Sequence, residues 1–187
     1  MVEDQYVRAA IGGVGEAKAA GNYAASLLPA KKAKEKGYDQ VMWMDAKEFK
    51  YIQEAGTMNL FFVVDGVVLT PSTDGAILKG ITRNTMLTIL KDKGYKVEER
   101  PITIDEIVEA YKAGKLEECF GAGTAAVVAH VADITKGNLT MTLPPVEERK
   151  IGNMLKKEID GLRGGLIEDT RGWIVPVKKL ESAKMHS

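Results

Sequence analysis

Apolar positions recur along the chain at two spacings, and each predicts a different kind of element. Ile151, Met154, Leu155, Ile159 and Leu162 fall three and four apart, which predicts an amphipathic helix across residues 146–162. Met86, Leu87 and Leu90 predict a helix for residues 82–93. Ile104, Ile107, Val108 and Tyr111 continue the pattern, and Thr103 with Glu106 forms a capping-box signature at its start. Unbroken apolar runs at 40–45 ("QVMWMD") and 57–64 ("TMNLFFVV") instead predict strands. Asp65-Gly66 within "VDGVVLTP" (64–71) predicts a hairpin leaving the second of them.

Weaker patterns fill the gaps. "QYVRAA" (5–10) and "KVEERPI" (96–102) read as short strands. "AASLLPAKKAKEKGYD" (24–39) reads as a helix stopping at Gly37, kinked or delayed by Pro29. "EECF" (117–120) leads into "GAGTAAVVAHVADI" (121–134), a glycine turn followed by a β-branched run that fits a strand or a helix. "RGWIVPV" (171–177) reads as a terminal extended piece. Helices and hairpins alternate without a regular βαβ period or an internal repeat, so the expected class is an irregular α/β (α+β) layer fold.

The 187 residues suffice for one domain with a sizeable core, or one plus a small appendage. Lys+Arg and Asp+Glu balance at 26 each, which argues against a broad basic footprint for nucleic acid but leaves room for a local phosphate pocket. No apolar run is long enough to span a bilayer, and the start lacks the order of a signal peptide, so no membrane partner is expected. Cys119 is the single cysteine and predicts a reducing, cytoplasmic setting. The two histidines lie far apart, so no metal site is expected.

Candidate chemistry begins at "IGGVGEAKAAGNY" (11–23), where glycines surround Lys18. A nucleotide P-loop is ruled out, because Ala17 precedes the lysine and Ala19 follows it. "GAGTAA" (121–126) resembles a dinucleotide turn, yet residues 140–146 ("TMTLPPV") lack the acidic residue that such a unit needs. Both "GAGT" and "GITRNT" (80–85) offer backbone N–H groups suited to a small anion. Two such turns with one glycine-flanked lysine suggest a phosphorylated carbonyl cofactor. Taken singly, each also reads as an ordinary turn, and Lys18 as an ordinary solvated lysine.

Four blocks, "GGVGEAKAAGNYAASL", "EAGTMNLFFV", "LKGITRNTML" and "FGAGTAAVV", occur in an order and spacing that resembles the branched-chain amino-acid aminotransferases of the class IV, fold-type-IV pyridoxal-phosphate family. The resemblance covers nearly the whole chain. It implies an irregular β pseudo-barrel with surrounding helices, as in the large C-terminal domain of that family. It implies that residues 1–187 are one pyridoxal-phosphate-binding domain, the family's separate N-terminal domain preceding the lysine block being absent.

The implied reaction moves the amino group of leucine, isoleucine or valine to 2-oxoglutarate through a lysine Schiff base. The resemblance makes Lys18 the catalytic lysine. Tyr23 would bond the cofactor's phenolic oxygen, Glu54 its ring nitrogen, and Leu78 would pack on the ring. Ile81, Thr82 and Thr124 would hold the phosphate. Thr57, Met58, Thr124 and Ala125 would meet the substrate. The absent domain ordinarily supplies a phosphate-binding arginine, part of the side-chain pocket and part of a dimer interface, so a homodimer or a separate N-terminal partner is implied. Related fold-type-IV chemistries, D-amino-acid aminotransferase and aminodeoxychorismate lyase, or a non-catalytic isolated domain, are the alternatives. Ala126 and Ala129 stand where some animal enzymes carry a Cys-x-x-Cys pair, which excludes that thiol switch.

Overall fold

A computed structural model describes residues 1–177. Its centre is a seven-stranded, mostly antiparallel sheet: β1 (Met42–Met44), β2 (Ile52–Ala55), β3 (Met58–Val64), β4 (Val67–Thr70), β5 (Val97–Glu99), β6 (Leu116–Gly123) and β7 (Val127–His130). β3 is the spine. Its start pairs with β2, its end with β4, and its other edge runs along β6, which carries β7. β5 joins β4 in parallel, and β8 (Asp133–Lys136) with β9 (Leu139–Thr142) forms a separate hairpin. The described residues form an open sheet with helices on both faces, consistent with the mixed α/β class expected.

Side-chain alternation explains why β3 reads as a solid apolar run, since both of its faces are covered. Leu60 and Phe62 face a core shared with α4 (Ile104–Lys112) and the β8–β9 hairpin. Phe61 and Val63 face α3 (Ile81–Asp92) and α5 (Ile151–Arg163), with Phe61 stacked on Phe120 at 5.3 Å between ring centroids. The α5 stripe Ile151, Leu155 and Ile159 is buried there as its periodicity predicts. A small third cluster packs α2 (Leu27–Glu35) on β1 through Ala33, Val41 and Trp43.

The β3–β4 hairpin turns on Asp65 and Gly66 at φ +51° and +73°, the left-handed pair its sequence signals. Thr103 caps α4 by accepting the Glu106 N–H at 3.1 Å, while the Glu106 carboxylate pairs with Arg100 rather than closing the box. α2 ends just before Gly37, at φ +84°. Pro29 lies in its first turn, where a missing N–H costs little, so the helix starts late rather than kinking.

Two sequence readings need revision, and one strand went unforeseen. Residues 5–10 form no strand, because the Glu3 carboxylate collects the N–H groups of Asp4, Gln5 and Tyr6 and turns the chain. The "GAG" of residues 121–123 lies within β6, the turn falls at Thr124–Ala126, and the run after it is the strand β7. β2 was not anticipated. Residues 172–177 lack regular structure.

Candidate functional site

The lysine loop owes its shape to glycine at two positions. Gly12 turns the chain at φ +83°. Gly15 is buried flat against Ala76, and a Cβ there would overlap that residue's backbone. Asn22, buried in α1 (Ala20–Ala24), ties the loop down from behind, its amide donating to the carbonyls of Val14 (2.8 Å) and Ala17 (2.9 Å). This frame leaves Lys18 exposed, with Nζ donating to the Tyr23 hydroxyl at 3.1 Å.

Glu54 is the deepest charge nearby. It lies on β2, 3% exposed, and its Oε1 accepts from Asn59 Nδ2 at 3.0 Å. Arg8 Nε lies 2.6 Å from Oε2. The Nε–H is poorly aligned with that oxygen, so the contact is an ion pair rather than a directed hydrogen bond. Arg8 Nη2 donates to the carbonyls of both Gly15 and Ala76, so one guanidinium joins the lysine loop, the 74–78 loop and the buried carboxylate. Burial pushes the Glu54 carboxyl from its ordinary 4.5 up to about 7, with the Arg8 charge and the Leu78 backbone pulling the other way.

Strand register collects the rest. Glu54, Asn59, Ala122 and Val128 form one row across β2, β3, β6 and β7. The Gly56-Thr57 turn and the Thr124–Ala126 turn therefore emerge at the same end of the sheet. Met58 lies over Gly121 and Gly123, where any Cβ would crowd it. The second turn exits through Val127 at φ +59°, a conformation costing a β-branched residue about 1–3 kcal/mol.

Asn59 Nδ2 also donates to Leu78 O at 2.8 Å, and its Oδ1 abuts Gly80, the N-cap of α3. No side chain caps that helix and its first turn holds no acidic residue, so the N–H groups of Ile81 and Thr82 keep their affinity for an anion. Arg83 anchors the turn from within, donating to Pro71 O at 2.9 Å and pairing with Glu99 at 3.2 Å.

The predicted residues thus fall into three groups. Tyr23, Glu54, Thr57 and Leu78 line one narrow cleft with Arg8 and Asn22. Ile81 and Thr82 line a wider cleft of about 460 Å³ beside α5 and Arg163. Met58, Thr124 and Ala125 lie at the sheet end itself, with Thr124 O accepting from Arg163 at 3.2 Å. Lys18 joins the first group through Tyr23. Sequence reading missed Arg8, Asn22 and Asn59. Two of the three stand inside the quoted blocks, where a polar residue flanked by small or apolar neighbours was the available signal.

Residues 12–134 match the family of class IV amino-transferases. The chain is 49% identical over 178 residues to a probable branched-chain-amino-acid aminotransferase of Staphylococcus aureus strain N315, covering 95% of this chain and 50% of that protein. Among solved structures, the branched-chain amino acid aminotransferase of Escherichia coli superposes with a TM-score of 0.75 at 31% identity, over 92% of this chain and 55% of that one. The branched-chain amino acid aminotransferase of Thermobaculum terrenum, in its PLP-form (holo-form), superposes with a TM-score of 0.68 at 25% identity, over 86% and 50%. The chain spans about half the length of the curated relatives it matches.

Proposed function

The chain belongs to the class IV aminotransferases, and from that premise we propose that it supplies the pyridoxal-phosphate-binding part of a branched-chain amino-acid transaminase. The amino group of leucine, isoleucine or valine passes to 2-oxoglutarate, giving a branched-chain 2-oxo acid and glutamate. The observation that carries this reading is the Lys18–Tyr23 pair standing beside a buried, doubly held Glu54. The names of the relatives support the branched-chain substrates over D-amino acids or aminodeoxychorismate.

The donor set suits the cofactor. When bound, pyridoxal phosphate supplies a carbonyl carbon and an electron-withdrawing ring. Uncapped N–H groups of Ile81 and Thr82, with the Thr124 hydroxyl, suit its phosphate. Glu54, ionised above about pH 7, supplies the buried negative charge that keeps a ring nitrogen protonated. Leu78 offers an apolar surface to the ring.

Lys18 is the side chain that would hold the cofactor at its carbonyl carbon, and its amine would carry a proton to or from the substrate α-carbon. Tyr23 orients that amine through its hydroxyl. Thr57, Met58 and the N–H groups of Thr124 and Ala125 meet the substrate.

The cleft between Tyr23, Glu54, Thr57 and Leu78 measures about 10 Å³, scarcely the space of one water. Residues 1–187 act as one domain of a larger cytoplasmic enzyme, working as a homodimer and completed by an N-terminal domain.

Reductive trapping tests this. The protein is mixed with pyridoxal phosphate, reduced with borohydride and digested. The label is expected on the Lys18 peptide, with the yellow colour lost in Lys18→Ala. Leucine-dependent glutamate formation is then assayed with and without an added N-terminal domain. Label spread over surface lysines, equal in Lys18→Ala, would refute the proposal.

A further inference from the structure

Two ends of the candidate site meet on one side chain. Asn59 is 5% exposed and stands directly across from Glu54 in the β2–β3 register. Its Nδ2 faces two acceptors at once, Glu54 Oε1 at 3.0 Å and Leu78 O at 2.8 Å. A side-chain amide nitrogen carries two N–H groups, so both are spent, and only that end of the amide can face two oxygens. Leu78 O also accepts the N–H of Gly80 at 2.8 Å, which closes the tight 78–80 turn leading into α3.

The far end of the amide is set by what Gly80 lacks. A Cβ on Gly80 would overlap Asn59 Oδ1, whereas the next residue it would meet, Arg83, stays at an ordinary 3.6 Å. Gly80 has φ −64° and ψ 132°, a backbone open to any residue, so conformational freedom is not what calls for glycine there. The space goes to the amide. β3 itself does not need this side chain, because its backbone is paired with β2 at its start and along its other edge with β6. Arg8 is the charged group packed on Glu54, and Tyr23 shares its cleft. Arg8 bonds to Gly15 and Ala76, and Tyr23 to Lys18, so the amide is what joins Glu54 to the 78–80 turn.

We propose that Asn59 is a positioning residue, its amide holding the Glu54 carboxylate and the 78–80 turn at one fixed separation. The partner for a ring nitrogen and the N–H groups of Ile81 and Thr82 that suit a phosphate are then set by the same side chain. A flat ligand that carries both groups gains most when both partners are in place beforehand. That use of the coupling rests on the reading of the chain as a pyridoxal-phosphate domain; the coupling itself does not.

The test follows the Glu54 carboxyl by carbon nuclear magnetic resonance through its titration in the labelled full chain without cofactor, together with hydrogen exchange at the Gly80 N–H. Asn59→Ala removes a donor to the carboxylate and should raise the Glu54 midpoint by about 1–2 pH units. Exchange at Gly80 should quicken severalfold as the turn loosens. Gly80→Ala makes no new contact with Glu54, yet it should raise the midpoint too, by pushing the amide aside. In an Asn59→Ala background the same substitution should add nothing. Should Asn59→Ala fail to fold, Asn59→Ser keeps one hydroxyl donor and should give a smaller shift of the same sign. A midpoint that stays put, a Gly80 N–H that exchanges as before, or a Gly80→Ala shift of equal size in both backgrounds overturns the proposal. No cofactor enters the measurement, so a chain that takes up no pyridoxal phosphate would refute the proposed function and leave this result standing.

Discussion

Replacing Arg8 with glutamine separates two kinds of stabilisation by their pH dependence. Arg8 gives hydrogen bonds to Gly15 O and Ala76 O, and a charge to Glu54. Losing the hydrogen bonds costs about 1–3 kcal/mol at any pH. Losing the charge leaves a buried carboxylate unpaired, a penalty of about 3–5 kcal/mol, or about 2–4 pH units at 1.36 kcal/mol each.

At pH 6 Glu54, with its carboxyl at about 7, is protonated in both folded proteins, so the charge contributes almost nothing to their difference. Above pH 7 the natural protein ionises while the variant keeps its proton. The variant's folded state then holds one proton more than its unfolded state, and its stability falls as pH rises. The gap should widen by about 1.4 kcal/mol per pH unit, reaching roughly 2–3 kcal/mol more at pH 9 than at pH 6. Between about 4.5 and 7 the natural protein carries the same liability, losing Glu54-linked stability with rising pH. Urea unfolding of both proteins at pH 6 and pH 9 measures this directly. A gap that stays constant within about 0.5 kcal/mol would show that Arg8 acts only through its carbonyl contacts and that its charge does not tune Glu54.

Gly15→Ala should destabilise by about 1–3 kcal/mol, since its Cβ meets the Ala76 backbone, whereas Gly21→Ala, with nothing within 4 Å, should be neutral or stabilising; thermal melts compare them. Asn22→Ala leaves two carbonyls without their donor and should cost about 1–3 kcal/mol while opening the lysine loop to limited proteolysis. Ile11, Val14, Leu27 and Leu28 are more than half exposed around that loop, so the chain should self-associate as concentration rises. A monodisperse monomer in light scattering at high concentration contradicts that expectation.

What was legible in the sequence was mostly local. α3, α4, α5 and the Asp65-Gly66 hairpin announce themselves because the residues that shape them lie within a turn or two of one another. β2 did not, and its residues explain why: Gln53 and Glu54 are buried polar side chains, so "YIQE" carries neither an apolar run nor a clean alternation. The strand expected at 5–10 failed for the opposite reason, a good local pattern overridden by one carboxylate just upstream. Lys18 and Glu54 could be named because whole blocks resembled a family, not because any spacing indicated their chemistry. Arg8 escaped notice because its partner, Glu54, is remote in sequence, beyond the reach of any local period.

Register is what brings these scattered blocks to the same end of the sheet. Because Glu54 pairs with Asn59 and Asn59 with Ala122, the lysine-loop partner Arg8, the N-cap of α3 and the Thr124 turn all converge on one end of three adjacent strands. A slip of one residue between β2 and β3 would turn Asn59 to the opposite face and strip Glu54 of a donor. The same slip would move Phe61 and Phe62 each into the other's core. The two apolar cores that hold β3 in place therefore also fix the polarity of the site. Their selectivity for register explains how a carboxylate with so few local signals is held within 3.0 Å of its amide partner.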